Sequence, residues 1–187
     1  MGLNKNQPAK GTILIADPAL DELYFHRSSI LITEHGQAGT VGFVLNKEMD
    51  ITLGQAVEDF KGLEIPVYLG GPVGRQNMYY VHTAGRLIPN AIEIKPGLYF
   101  GGDYNIVKKL ILSGNLKSNE IKFFIGYSGW TAGQLDKEME KESWFVTHCK
   151  MEYIFTKDTK NLWKRVLKEM GDEFALIANF PDDPSLN

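Results

Sequence analysis

Short runs of β-branched and aromatic residues, each ended by Gly, Pro or Asp, are the feature that most limits how this chain can fold. Runs of this kind predict β-strands. They fall at 12–16, 29–33, 39–45, 66–69, 78–82, 91–94, 98–100, 121–125, 144–147 and 151–155. Because these strands do not alternate regularly with helices, the pattern favours an α+β fold with largely antiparallel sheets over a doubly wound parallel sheet.

About four stretches show the spacing of an amphipathic helix instead. They are residues 53–60, 104–113, 132–141 and 159–170. In the first, Leu53, Ala56, Val57 and Phe60 recur at the intervals that place side chains on one helical face. Asp103 stands where it can cap the second helix.

The chain is predicted to hold one domain, residues 11–187, behind a flexible polar arm at residues 1–10. A length of 187 residues suits a single core, and no linker rich in Pro, Ser or charge divides the sequence. The net charge of -3 means that the whole molecule does not attract phosphate backbones, so a nucleic-acid surface would have to be a local patch.

Location and cofactors are predicted from what the sequence lacks. It has no secretory signal and no apolar run long enough to cross a membrane. The one cysteine, Cys149, excludes an internal disulfide, and the four dispersed histidines lack the spacing of metal ligands. We therefore predict a cytoplasmic monomer or small homo-oligomer without metal, cofactor or membrane contact.

Two four-residue segments repeat the same chemistry. Thr52-Leu-Gly-Gln55 and Thr131-Ala-Gly-Gln134 each follow a predicted strand and open a predicted helix. In such a capping box the Gln side chain reaches back to the Thr N–H, while the Thr hydroxyl accepts from the third helical N–H. The echo indicates either a duplicated strand-loop-helix unit or two independent caps of the same kind.

The glycines after two strands are the candidate binding elements. Gly126 to Gln134 leads from a strand into a capped helix, where free N–H groups can bind a carboxylate or phosphate; alternatively, the glycines only form a tight turn and Trp130 fills the core. Gly70-Gly71-Pro72 also follows a strand, so the two segments would line one groove if they are neighbours. The candidate ligand-binding residues are Asn46, Gly70, Gly71, Pro72, Gly126, Tyr127, Gly129, Trp130, Gly133 and Gln134. The ligand would be a small molecule or another protein.

Two other functions have weaker sequence support. A hydrolase would need Ser128 or Cys149 as nucleophile, but Trp130 stands where the nucleophile elbow needs a glycine, so no catalytic residue is assigned. A nucleic-acid regulator would use Lys160, Lys164 and Lys168, which share one side of the last predicted helix. Alternatively, these lysines only form the solvated face of an ordinary amphipathic helix.

These motifs together resemble the AlgH/YqgE family of small bacterial proteins. The resemblance rests on Gly11 to Pro18, Phe25 to Ile30, Glu34-His35, Gly39 to Asn46, Gly70 to Val73 and Gly126 to Leu135. It implies an α+β fold of coiled, partly branched sheets built from a duplicated β-α-β unit. It also implies no recognised active site, cofactor or DNA-binding motif, although one member is named a transcriptional regulator. The family often has Ala at the position of Ser128, which argues further against a serine nucleophile.

Overall fold

Ten strands and six α-helices form the part of the chain that the structure, a computed structural model, describes: residues 6–20 and 22–180. The strands are β1 Thr12–Ala16, β2 Ser29–Gly36, β3 Gly39–Val44, β4 Glu48–Thr52, β5 Pro66–Leu69, β6 Val73–His82, β7 Ile92–Lys95, β8 Leu98–Phe100, β9 Ile121–Thr131 and β10 Trp144–His148. The helices are α1 Leu53–Ala56, α2 Tyr104–Leu112, α3 Gln134–Glu140, α4 Met151–Ile154, α5 Leu162–Met170 and α6 Asp172–Ile177. The predicted α+β class with a curled, mainly antiparallel sheet is confirmed.

The sheet runs in the order β10-β1-β2-β3-β9-β6-β8-β7, and β4 and β5 branch from it. Its neighbouring strands are antiparallel, except that β5 pairs with β9 in parallel. Alternate residues of β1 face different cores: Ile13 and Ile15 join one, and Leu14 joins another. The sheet is therefore covered on both faces here, as the uninterrupted apolar run of β1 requires.

The connection from β5 to β6 crosses over β9. Phe123 of β9 is paired with Val67 of β5 and also with Tyr80 of β6. A strand residue has one neighbouring strand at each edge, so β5 and β6 lie on opposite edges of β9. The three residues between them, Gly70 to Pro72, must then pass from one edge of β9 to the other.

Three apolar clusters hold the layers together. The main cluster lies between the sheet and the C-terminal helices, and it includes Phe43, Phe124 and Trp163. The second packs α1 and α2 on Phe123 of β9. The third lies under α3 and contains Trp130. The central strand β9 contributes side chains to all three clusters, so its path determines how the layers are joined.

Two predicted elements were wrong, and two were missed. Residues 151–155 form the one-turn helix α4 rather than a strand, because a short apolar run does not distinguish a strand from a buried helix. The predicted helix at 53–60 is interrupted at Val57, whose backbone is extended, and continues as a 3₁₀ turn that buries Phe60. Strand β4 and helix α6 were not predicted, and α4 and α6 together bring the α-helices of the described residues to six instead of about four.

The two Thr-Gly-Gln segments do make the same contact. Gln55 Oε1 accepts from the Thr52 N–H at 2.9 Å, and Gln134 Oε1 accepts from the Thr131 N–H at 3.1 Å. The second helix, however, begins only at Gln134, after Gly133 in a left-handed conformation. The duplicated unit stays an interpretation.

The ends of the chain are only partly described. Residues 1–5 of the predicted N-terminal arm, and residues 181–187, lie outside the described residues. Within the arm, Asn6 Nδ2 donates to the Val146 carbonyl at 3.1 Å, and Pro8 is buried. Among the described helices, none is long and apolar enough to span a bilayer.

Candidate functional site

The crossing over β9 explains why glycines occupy both candidate segments. Gly126 has a φ of 69°, and a Cβ atom there would lie 2.5 Å from the Gly71 carbonyl oxygen. A Cβ atom on Gly71 would lie 2.3 Å from the Tyr127 carbonyl group, and Ser128 Oγ donates to the Gly70 carbonyl at 2.9 Å. Two backbones in such close contact leave no space for side chains. Gly70, Gly71 and Gly126 are buried at this crossing.

The accessible surface beside the crossing is a groove of about 380 Å³, which we call the β3–β9 groove. It is lined by Glu34, Ala38, Gly39, Thr40, Val41, Val73, Tyr127, Gly129, Trp130 and Thr131. The side chain of Val73 is 40% exposed, and the Tyr127 ring packs edge-on against Tyr79 at 5.7 Å. Gly129 is exposed and leaves this part of β9 without a covering side chain.

Three of the ten candidate binding residues, Tyr127, Gly129 and Trp130, line this groove. Pro72 is exposed on the crossing connection next to Val73. Asn46 lies elsewhere: its side chain accepts from the Ser29 N–H and donates to the Arg27 carbonyl, both at 2.9 Å. These two bonds join the end of β3 to the start of β2.

Gly133 and Gln134 lie outside the groove, at the start of α3. Gly133 is the N-terminal cap of that helix. The Gln134 amide donates to Glu138 Oε1 at 3.0 Å and accepts from Thr131. The side chain therefore organises its own helix, and both of its polar atoms have protein partners.

Trp130 has a structural anchor as well as a place in the groove. Its indole N–H and that of Trp144 both donate to Glu138 Oε2 at 2.8 Å. The ring stacks on Phe25 with centroids 6.1 Å apart, and the residue is only 5% exposed. The Trp130 side chain thus fills the core, as one of the two alternatives predicted.

Neither candidate nucleophile is accessible. Ser128 lies within β9 and is fully buried, and its hydroxyl donates a hydrogen bond to the Gly70 carbonyl. Burial raises the pKa of the Cys149 thiol to about 11, so the thiolate needed for attack is scarce at neutral pH. Burial therefore disfavours both Ser128 and Cys149 as the nucleophile of a hydrolase.

The lysine stripe lies on the outer face of α5 and the turn before it. Lys160, Lys164 and Lys168 are exposed, opposite the buried Trp163 and Val166. None of these three amines forms an ion pair within the described part of the chain. The arrangement is that of a solvated helical face, and whether it also contacts nucleic acid stays a prediction.

Lys122 is an unusual residue that was not among the predicted site residues. It lies in β9, is only 4% exposed, and places its ammonium 3.6 Å from the centre of the Tyr68 ring. It lines a cavity of about 350 Å³, the Lys122 pocket, together with Glu48, Glu64, Ile65, Pro66, Tyr68, Ser118, Asn119, Ile121, Ile154, Phe155, Thr156 and Lys157. The available signal was a single lysine inside the apolar run Ile121-Lys122-Phe-Phe-Ile125.

Comparisons with known proteins place this architecture in a family. A family model described as AlgH-like matches residues 13–175. A UPF0301 protein from Parabacteroides distasonis is 42% identical over 182 residues, which are 96% of this chain and 92% of the relative. The chain belongs to the AlgH-like family. A UPF0301 protein from Chlorobium phaeobacteroides is 40% identical and covers 95% of each chain.

Two solved structures share the fold of this AlgH-like protein. A crystal structure of a Corynebacterium diphtheriae protein superposes with a TM-score of 0.78 at 25% identity, over 95% of each chain. The solution structure of the AlgH protein from Pseudomonas aeruginosa gives a TM-score of 0.73 at 21% identity, over 94% of this chain and 98% of that one. These names state a family and no activity, so function has to be argued from the geometry.

Proposed function

We propose that this AlgH-like protein acts by binding, and that the β3–β9 groove is its binding surface. One observation carries the proposal: the three segments that most specify the family resemblance, 39–46, 70–73 and 126–135, all contribute residues to this groove. They are distant in sequence and meet because β9 lies between β3 and β6. Residues grouped in this way on an accessible concave surface are what a binding site requires.

The lining indicates the chemistry of the occupant. Val73, Ala38 and the Tyr127 ring offer apolar contact. Glu34 at the groove is exposed and forms no ion pair with any described residue. An apolar group next to a cation, carried by a small molecule or by a short segment of a partner protein, would match both features.

The test is to replace Val73 by aspartate, which places a charge in the apolar part of the groove. The full chain is immobilised and exposed to a bacterial lysate. We expect Val73→Asp to retain at least about tenfold less of the bound partner than the wild type does. Leu112→Asp is the matched control, because Leu112 is also exposed but lies on α2, away from the groove. Equal retention by Val73→Asp and Leu112→Asp, or no retention by the wild type, would contradict the proposal.

A second candidate function, regulation through nucleic acid, is favoured by the three exposed lysines without ion pairs on and before α5. It predicts DNA binding at low salt that weakens steeply as salt rises. Lys160→Glu combined with Lys164→Glu should abolish a mobility shift. The same change of charge at Lys137 and Lys141, which are exposed at α3, is the control. A wild-type chain that shifts no DNA at low salt would exclude this function.

A further inference from the structure

Lys122 is placed where a strand normally carries an apolar residue. Its neighbours in β9, Ile121 and Phe123, point into the second cluster, under α1 and α2. Lys122 takes the same face as Phe124, which belongs to the main core. Its side chain ends beside the Tyr68 ring and lines the Lys122 pocket.

The amine has no partner of the kind that buried lysines usually have. Among the described residues, none accepts a hydrogen bond from Lys122 Nζ or forms an ion pair with it. Its close contact is the face of the Tyr68 ring. The other charged groups at the pocket are Glu48, Glu64 and Lys157, and Glu48 is already engaged by the Thr159 hydroxyl at 3.4 Å. Lys122 Nζ is not among the fully enclosed atoms that lack a hydrogen-bond partner, so the amine can be reached from the Lys122 pocket.

The environment also changes the protonation of this amine. Burial lowers the pKa of Lys122 to about 7, and the Glu48 carboxylate opposes this shift only in part. A much larger fraction of Lys122 side chains is then neutral at pH 7 than the roughly 1 in 2,500 of an ordinary exposed lysine. A neutral, desolvated amine is the form that attacks carbonyl carbon.

We propose that Lys122 is a nucleophilic amine that captures a small aldehyde or ketone as an imine within the Lys122 pocket. A cavity of about 350 Å³ is at the lower end of the range for small-molecule sites. The proposal goes beyond binding at the β3–β9 groove, because the two cavities share no lining residue. Failure of one proposal leaves the other untouched.

The reaction needs no oxidant or reductant. The Lys122 nitrogen forms a bond to the carbonyl carbon as the carbonyl π bond breaks, and one N–H proton is transferred to the oxygen to give a carbinolamine. The C–O bond then breaks, and the oxygen leaves as water with the second N–H proton. The nitrogen lone pair forms the second bond of the imine C=N group. Burial and then the Glu48 carboxylate raise the pKa of Tyr68 to about 12. The Tyr68 hydroxyl therefore stays protonated at neutral pH.

The experiment uses the full wild-type chain with propanal and sodium cyanoborohydride, which reduces an imine to a stable secondary amine. At pH 7 and limiting reagent, peptide mass mapping should show the adduct on Lys122 at least about tenfold faster than on Lys164, an exposed lysine of α5. The rate at Lys122 should level off above pH 8, while the rate at Lys164 continues to rise with pH.

A variant tests whether the pocket is the route to the amine. Ser118 is exposed and lines the pocket, so Ser118→Trp should narrow the entrance without burying new polar groups. We expect labelling of Lys122 to slow several-fold and labelling of Lys164 to stay the same. The proposal is overturned if wild-type Lys122 reacts no faster than Lys164. Equal labelling of Lys122 in wild type and Ser118→Trp would overturn the assignment to the pocket.

Discussion

Replacing Gly126 by alanine is expected to lower the free energy of unfolding by about 2 to 5 kcal/mol. The new Cβ atom would meet the carbonyl oxygens of Gly71 at 2.5 Å and Val73 at 2.9 Å, and both belong to backbone that cannot rotate away. Overpacking of this kind typically costs 1 to 3 kcal/mol, and the left-handed backbone of Gly126 adds roughly 1 to 2 kcal/mol for a residue with a side chain. Urea unfolding followed by tryptophan fluorescence measures the difference.

Substitutions at two other glycines separate the cost of the left-handed backbone from the cost of the steric contact. Gly133 is also left-handed, with a φ of 71°, but a Cβ atom there would meet nothing within 4 Å. Gly133→Ala should therefore cost only about 1 to 2 kcal/mol. Gly36 has neither a left-handed backbone nor a neighbour within 4 Å, and Gly36→Ala should change stability by less than about 0.5 kcal/mol. If Gly126→Ala costs no more than Gly133→Ala, the two backbones do not cross in contact.

Replacing Lys122 by methionine is expected to stabilise the protein most at low pH. The pKa of Lys122 is about 7 in the folded chain and near 10.5 in the unfolded chain, so between these values the unfolded chain binds more protons. Wild-type stability should then rise with pH through this window. Relative to Lys122→Met, the wild type should gain roughly 4 kcal/mol between pH 6 and pH 10, since each unit of pKa shift corresponds to about 1.4 kcal/mol.

The free energy of unfolding has to be measured for the wild type and for Lys122→Met at each pH. The difference between the two values then cancels the contribution of all other titrating groups. Lys164→Met is the control: Lys164 lies on the exposed face of α5, and its replacement should change stability by less than about 0.5 kcal/mol at every pH. A constant difference between wild type and Lys122→Met from pH 6 to pH 10 would show that the Lys122 ammonium is not desolvated by folding.

The strands were easier to predict than their connections. Strands β1, β5 and β8 have the predicted bounds, because β-branched and aromatic runs between turn residues are a local signal. Strand β4 was missed because Glu48 and Asp50 are residue types that strands disfavour, although Glu48 to Thr52 alternates polar and apolar residues as a half-buried strand does. Helix α4 was taken for a strand because one turn of helix is too short to show a period.

The sequence prediction of a groove brought together some of the segments that line the β3–β9 groove, but for a different physical reason. Free N–H groups were expected at the glycines, whereas Gly70, Gly71 and Gly126 are buried where two backbones cross. That crossing depends on the pairing of Val67 with Phe123, a contact between distant segments that no local pattern encodes. Lys122, in contrast, was visible in the sequence as a charge inside an apolar run, and its importance becomes clear only from its burial.

The position of β9 between β5 and β6 also constrains how the chain reaches its native state. Strands β5 and β6 are adjacent in sequence but cannot pair with each other, since β9 separates them. During synthesis, the first hundred residues therefore leave the ribosome with an open gap in their sheet, and the gap closes only when β9 has been made. Such dependence on distant segments slows folding and prolongs the exposure of unpaired strand edges. A chaperone that shields the unpaired edges of β5 and β6 until β9 emerges would protect the sheet during this interval.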